Sequence, residues 1–162
     1  MRISGRPLIE YIRFLAPLFG LIAAIWALRL LTSAVGVPPG VVRLFSVTVT
    51  SSVCILLAVL LIHVRRFGGY SSVVTAVFLL VFWEQFLIIA AIAFAFFTGT
   101  GNIFTAPEYS GRTTSLLAHI IGHVTFGIGI ETLLGAGMGC LLFWLIRRMV
   151  PVESGKWSGA KR

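Results

Sequence analysis

Four long runs of hydrophobic residues, separated by short stretches rich in glycine, proline or charge, dominate the pattern along the chain. Segment one covers about 14–34, segment two about 41–63, segment three about 72–97 and segment four about 115–146. An α-helix needs about 20 mostly apolar residues to cross the hydrocarbon core of a bilayer, and each run is long enough. The pattern therefore predicts an all-α integral membrane protein built as a four-transmembrane-helix bundle.

The connections indicate how neighbouring helices meet. VGVPPG follows segment one, and its prolines and glycines do not continue a helix, so segments one and two are expected to form a tight hairpin. Segments three and four are joined by the longest connection, TGTGNIFTAPEYSGRTT. Arg29 interrupts segment one and a cleavage site is hard to place, so we expect a retained span rather than a signal peptide. A single membrane domain, 1–162, with a basic tail at 147–162 is predicted.

Composition supports a chain whose main solvent is lipid. Hydrophobic residues make up 58% of the sequence and charged residues only 11%, whereas soluble domains carry about 25% charged residues. The formal net charge is +8, but its position beside apolar segments argues against nucleic acid as a partner. Cys54 and Cys140 both lie inside apolar segments, where a free cysteine behaves as a small hydrophobic residue.

Lysine and arginine are distributed unequally between the two sides of the predicted helices. One side holds only Arg29, Arg43 and Arg112. The other side holds Arg2, Arg6, Arg13, Arg65, Arg66, Arg147, Arg148, Lys156, Lys161 and Arg162. The positive-inside rule then predicts that both termini are cytoplasmic, and we expect the inner (plasma) membrane of a bacterium. Trp157 among the basic residues of the tail suggests contact with anionic lipid headgroups; a solvated tail is the alternative.

Acidic side chains occupy the middle of two predicted spans. Glu84, followed by Gln85, lies near the centre of segment three, and Glu131 lies near the centre of the oppositely directed segment four. Two carboxylates at one depth cannot both ionise cheaply in a low dielectric, so they are expected to share a proton, or Glu84 forms a salt bridge with Arg29. Ser51 belongs to a hydroxyl cluster of segment two: Ser46, Thr48, Thr50, Ser51 and Ser52. The alternative is a neutralising network that only fixes helix register.

Segment four carries polar and small residues at four-residue intervals: His119, His123, Gly127, Glu131, Gly135 and Gly139. In an α-helix four residues advance about 400°, so neighbours in this series share a face that drifts by about 40° per step. His119 and His123 could ligate a metal, haem or chlorophyll, although HIIGH lacks the glutamate of HExxH. Histidines that are hydrogen-bonded within the protein are the alternative. Gly135 and Gly139 form a GxxxG motif for close helix packing, inside the chain or against another subunit.

Three functions remain open from the sequence, with an intramembrane enzyme as the last alternative. No GxSxG, Walker loop, HExxH or dinucleotide fingerprint is found, so no catalytic residue is assigned and a non-enzymatic role is favoured. The first hypothesis is an accessory or structural subunit, or a self-associating bundle, with lipid and a protein partner or second copy around it. The second is proton- or cation-coupled transport through Glu84 and Glu131. The third is a cofactor-binding redox subunit using His119 or His123; otherwise no cofactor is expected.

Overall fold

Helices long and apolar enough to cross a membrane make up most of the computed structural model, which describes residues 2, 3, 5–106 and 116–149. The first three spans are α1 (Leu8–Ala34), the segment Gly40–Val64, which contains α3 (Val47–Val64), and α4 (Tyr70–Thr98). The prediction of an all-helical chain with four helices of membrane-spanning length is confirmed. The predicted tail beyond 149 and the connection at 107–115, including Arg112, lie outside the described residues.

The fourth span changes its helical form along its length. It begins as α5 (Leu116–Gly122), continues as a π-helix, here called π1 (His123–Glu131), and ends as α6 (Thr132–Met149). A π-helix carries i→i+5 hydrogen bonds and is rare outside single turns, often at functional sites. The sequence pattern predicted a regular α-helix here, and the structure differs from that prediction by having the wider turns of π1.

The first span starts earlier than its apolar run. A two-residue antiparallel hairpin, β1 (Arg2–Ile3) and β2 (Arg6–Pro7), precedes α1. In the first turns of α1, Glu10 forms an ion pair with Arg6 of β2 at 2.9 Å. Tyr11 is buried, and its hydroxyl lies 2.9 Å from Ser72 Oγ. Hydrophobicity alone predicted a later start for this helix, because its first turns contain charged residues and are apolar on only one face.

The second predicted segment contains a break. A short helix, α2 (Pro39–Val42), ends before α3, and α3 starts at a capped N-terminus. The Ser46 side chain accepts a hydrogen bond from the Val49 N–H over 3.3 Å, which satisfies one of the free donors at a helix start. Serine favours such caps over helix interiors, so it marks a start within an otherwise apolar run.

The central helix of the fold is α4. It packs against α1, α3 and the fourth span, and 50% of its most apolar window is buried, compared with 11% for the fourth span. Val73, Val77 and Leu80 on α4 are fully enclosed, and Trp83 Nε1 on the same helix donates to the Phe19 carbonyl in α1 over 3.1 Å. Polar residues at the middle of α4 are therefore surrounded by protein on most sides.

Close packing of the fourth span uses the predicted glycine motif inside the chain. A Cβ atom added at Gly135 would lie 3.0 Å from Val77 Cγ1 and 3.3 Å from Ile55 Cδ1, and one added at Gly139 would lie 3.1 Å from Val73 Cγ1. These glycines let α6 approach α3 and α4 directly, as small residues do at membrane helix interfaces. Their faces are thus occupied within one chain.

Replacement of Gly135 by leucine should destabilise the fold, because the side chain has no space between α6, α3 and α4. Overpacking of this kind costs about 1–3 kcal/mol. Gly137→Leu is the matched control, since a Cβ atom at Gly137 meets nothing within 4 Å. Unfolding of both variants by titration with a denaturing detergent would measure the difference; equal stabilities would contradict the packing described here.

Candidate intramembrane polar site

Glu84 lies at the centre of α4, with fourteen helical residues on either side. Its side chain is buried, with 1% of its surface exposed. The hydroxyls of Ser51 and Thr48 on α3 lie beside the carboxyl group, and Glu131 interacts with it electrostatically. Within the described residues, however, neither Glu84 Oε1 nor Ser51 Oγ has a hydrogen-bond partner of good geometry. A buried carboxyl group with unused hydrogen-bonding capacity is energetically costly and calls for an explanation.

Gln85 connects α4 to π1 through both ends of its amide. Its Nε2 donates to Glu131 Oε2 over 2.8 Å, and its Oε1 lies 2.8 Å from His123 Nδ1. The amide oxygen can only accept, so His123 carries a proton on Nδ1, and the Nε2 of a neutral ring is left as an acceptor. Gln85 is buried, with 2% of its surface exposed, so this bridge is enclosed by protein.

The π-helical turns explain how one amide reaches two residues that are eight positions apart. In an α-helix, eight residues would rise about 12 Å and turn the second side chain by about 80°. A helix with i→i+5 bonds has more residues per turn, so four residues fall short of a full turn and the rise per residue is smaller. The direction of the α-helical drift is thereby reversed and the two residues lie closer along the helix axis, and His123 and Glu131 both reach Gln85.

Gly127 provides the space for this bridge. It lies midway between His123 and Glu131, and a Cβ atom added to it would overlap the Gln85 side-chain amide. Any larger residue would push the amide away from one or both of its hydrogen-bond partners. The four-residue spacing of the sequence therefore corresponds to three consecutive contacts with a single side chain of α4.

An open cavity of about 400 Å³ lies on the fourth-span side of this cluster. Its lining combines polar groups with small and apolar ones: Thr48, Gln85, Ile88, Ala118, His119, Gly122, His123, Phe126, Gly127 and Glu131. Glu84 is not part of the lining, but Thr48 and Glu131, which interact with its carboxyl group, are. The cavity thus leads to one acidic side chain directly and to the second through its neighbours.

Arg29 contacts a different part of the chain. Its guanidinium carbon lies 5.0 Å from the ring centroid of Phe104, in the connection that follows α4, and the side chain is buried. Among the described residues no ion pair joins Arg29 to Glu84. The structure therefore brings together Glu84, Gln85, Glu131 and Ser51 of the predicted polar site, and gives Arg29 a separate position.

His119 and His123 lie next to each other on one face of the fourth span. Their rings are stacked with centroids 5.2 Å apart, and only His123 is hydrogen-bonded to Gln85. In the part of the chain that the structure describes, no three His, Cys, Asp or Glu side chains converge to hold a metal ion. Ligation of a metal, haem or chlorophyll by either histidine stays a prediction.

Two features of the site were missed by sequence reasoning. Gln85 was identified only as a polar neighbour of Glu84, and its role as the bridge was not foreseen. Thr48 was recognised as one hydroxyl in a cluster, without its position at the cavity wall. The regular spacing of His123, Gly127 and Glu131 was the available signal, but an assumed α-helical drift obscured how closely these residues align.

Replacement of Gly127 by alanine should weaken the site, because the methyl group would occupy the position of the Gln85 amide. We expect a loss of about 1–3 kcal/mol in unfolding free energy. Gly129→Ala is the matched control in the same π-helix; a Cβ atom there meets nothing within 4 Å, and the change should be neutral or slightly stabilising. Detergent unfolding curves of the two variants would test this, and a Gly127→Ala protein as stable as the control would refute the contact.

The chain matches no protein-family model, no curated protein and no solved structure, so an assignment of function rests on the geometry of its own residues.

Proposed function

We propose that this chain is a small membrane protein that binds a proton or a small cation between Glu84 and Glu131 and carries it as part of a transport cycle. In this proposal the four helices form a bundle in a bacterial inner membrane, with both termini in the cytoplasm. Gln85 acts as a positioning residue, since its amide fixes the Glu131 carboxyl group and the His123 ring relative to each other.

The arrangement of the two carboxyl groups carries this proposal. Both lie in the middle third of their spans, they interact electrostatically, and among the described residues neither forms an ion pair with lysine or arginine. Two carboxylates that interact electrostatically, and that form no ion pair within the described residues, are costly in a membrane interior unless a proton or a cation neutralises them. Binding of such a species is therefore the simplest way in which this pair becomes stable.

The cavity supplies the route by which that species would arrive. Glu131, His119 and His123 all line it, so a proton or hydrated cation entering the cavity meets a carboxyl group and two imidazoles. The Thr48 and Ser51 hydroxyls adjoin Glu84 and offer further oxygen atoms. Oxygen ligands suit protons and hard cations alike. Delivery to Glu84 requires only local movement between neighbouring side chains.

Glu84→Gln and Glu131→Gln should each reduce proton or cation flux by about tenfold or more, because an amide cannot exchange a proton or neutralise a cation. Flux would be measured in proteoliposomes under a pH gradient with a trapped pH-sensitive dye. Glu10→Gln is the control, since this partly exposed glutamate pairs with Arg6 outside the polar site. Variants that lose stability but keep wild-type flux would show that the acids only hold helices together.

An accessory or self-associating role is the second candidate, favoured by how little of the fourth span is covered. Only 11% of its apolar window is buried, and Gly129 and Gly137 on its outer side have open space around them. Small residues on an uncovered membrane helix permit close approach of another helix.

Disulfide cross-linking in native membranes would test this face. In a Cys54→Ala, Cys140→Ala background, Gly137→Cys should give a cross-linked dimer on oxidation, because two copies of this face would meet. Gly135→Cys is the control and should not, since Gly135 packs against Val77 inside the chain. Two results together would argue against both self-association and a partner subunit. One is a Gly137→Cys protein that stays monomeric, and the other is a chain that purifies without any other protein in mild detergent.

A further inference from the structure

A second polar cavity, of about 510 Å³, lies at the opposite end of the helices from Phe104. It is formed by the end of α3, the turn into α4 and the end of α6. Its lining consists of Ile62, His63, Arg66, Gly68, Gly69, Phe143 and Arg147. Two guanidinium groups and one imidazole thus converge here, and none of the described residues in this lining carries a carboxylate. The positive-inside count assigns this end to the cytoplasmic surface.

Arg66 occupies a backbone position that usually belongs to glycine. Its φ is 50°, and it is the only non-glycine residue with positive φ in the part of the chain that the structure describes. The Arg66 N–H bonds to the His63 carbonyl and the Phe67 N–H to the Ile62 carbonyl, which is the Schellman pattern that ends α3. Arginine in this conformation is disfavoured, and such outliers cluster at ligand-binding sites.

His63 offers an unused hydrogen-bond donor to the same cavity. The residue is buried, with 7% of its surface exposed, and its ring makes an edge contact with Phe143 at 6.1 Å between centroids. Among the described residues, its ring nitrogens have no hydrogen-bond partner, yet an imidazole always carries at least one N–H. Because His63 lines the cavity, this donor is available to a polar group that binds there.

The N-terminus of α4 borders the cavity as well. Gly69 is the N-cap residue, and no side chain caps this helix start. The positive end of a 29-residue helix and its free N–H groups favour a negatively charged ligand. A Cβ atom at Gly68 would overlap Ser72, so glycine is required for the turn to approach the helix this closely.

From these observations we propose that this cavity binds the phosphate group of an anionic phospholipid. Arg66 and Arg147 pair with phosphate oxygens, His63 donates a third hydrogen bond, and the lipid tails extend along the apolar surface of α3 and α6. Basic pockets between helices at a cytoplasmic surface suit such headgroups, and lipid is present there at high local concentration. The site is independent of the Glu84 and Glu131 pair and of the proposed transport.

Binding would be measured by native mass spectrometry of the full chain in non-ionic detergent, with phosphatidylglycerol and phosphatidylcholine as probes. We expect the wild-type chain to bind phosphatidylglycerol at least about tenfold more tightly. The Arg66→Gln, Arg147→Gln double variant should lose on the order of a hundredfold, because two charge-assisted hydrogen bonds are removed. Arg65→Gln, Arg148→Gln removes the same charge from neighbours that do not line the cavity, and should lose no more than about tenfold.

Two further variants separate binding from folding. Arg66→Gly removes the guanidinium and relieves the backbone, so the melting temperature should stay the same or rise while affinity for phosphatidylglycerol falls about tenfold. His63→Phe keeps an aromatic ring against Phe143 and removes the donor, and should reduce affinity several-fold. Equal losses in the two arginine double variants would overturn the site. Inorganic phosphate that binds as tightly as the lipid, with the same dependence on Arg66 and Arg147, would overturn the lipid as its source.

Discussion

Polar side chains in the middle of a membrane span must find their partners within the protein, and this constraint shapes the fold around α4. Lipid offers no hydrogen bonds, so an amide and a carboxyl group at mid-helix require a neighbouring span that presents complementary groups. The fourth span does so with His123 and Glu131, which contact Gln85 from the same face. Helix packing and the polar site therefore depend on each other, because the close packing of the fourth span against α4 buries apolar surface and also forms the hydrogen bonds of Gln85.

The spaced glycines of the fourth span contribute both to helix packing and to the polar site. Gly135 and Gly139 bring α6 against valines of α3 and α4, and Gly127, two turns earlier, admits the Gln85 amide. If the fourth span remained α-helical, its polar residues at four-residue intervals would drift in one direction around the helix and away from Gln85. The wider turns of π1 reverse that drift where it matters. The π-helix thus adjusts the direction of side chains while the glycines adjust distance.

The sequence predicted the four spans, and the position of each acid near the middle of its span, because both follow from counting apolar residues. Glu84 and Glu131 were expected at the same level, and each lies near the middle of its helix. Residue counting could not predict that a π-helix replaces α-helical turns, nor that Gln85 connects α4 to the fourth span. Both depend on how closely the two helices pack, which places the Gln85 amide 2.8 Å from its partners in His123 and Glu131. Helix ends were also harder to predict from the sequence. The charged Glu10 lies in the first turn of α1, outside the apolar run, and Ser46 caps the start of α3 within an apolar run.

The contrast between Gln85 and Glu84 bears on whether the polar centre merely fixes the packing. A network that only sets helix register is expected to satisfy its own members, because a partly satisfied network destabilises the interior that it is meant to specify. Gln85 meets this expectation, with its donor and acceptor both used. Glu84 does not: within the described residues its Oε1 and the adjacent Ser51 Oγ lack good partners, although Glu84 is more enclosed than Glu131. Register is already fixed by Gln85, so the additional cost of burying Glu84 supports the proposal that a proton or cation binds there.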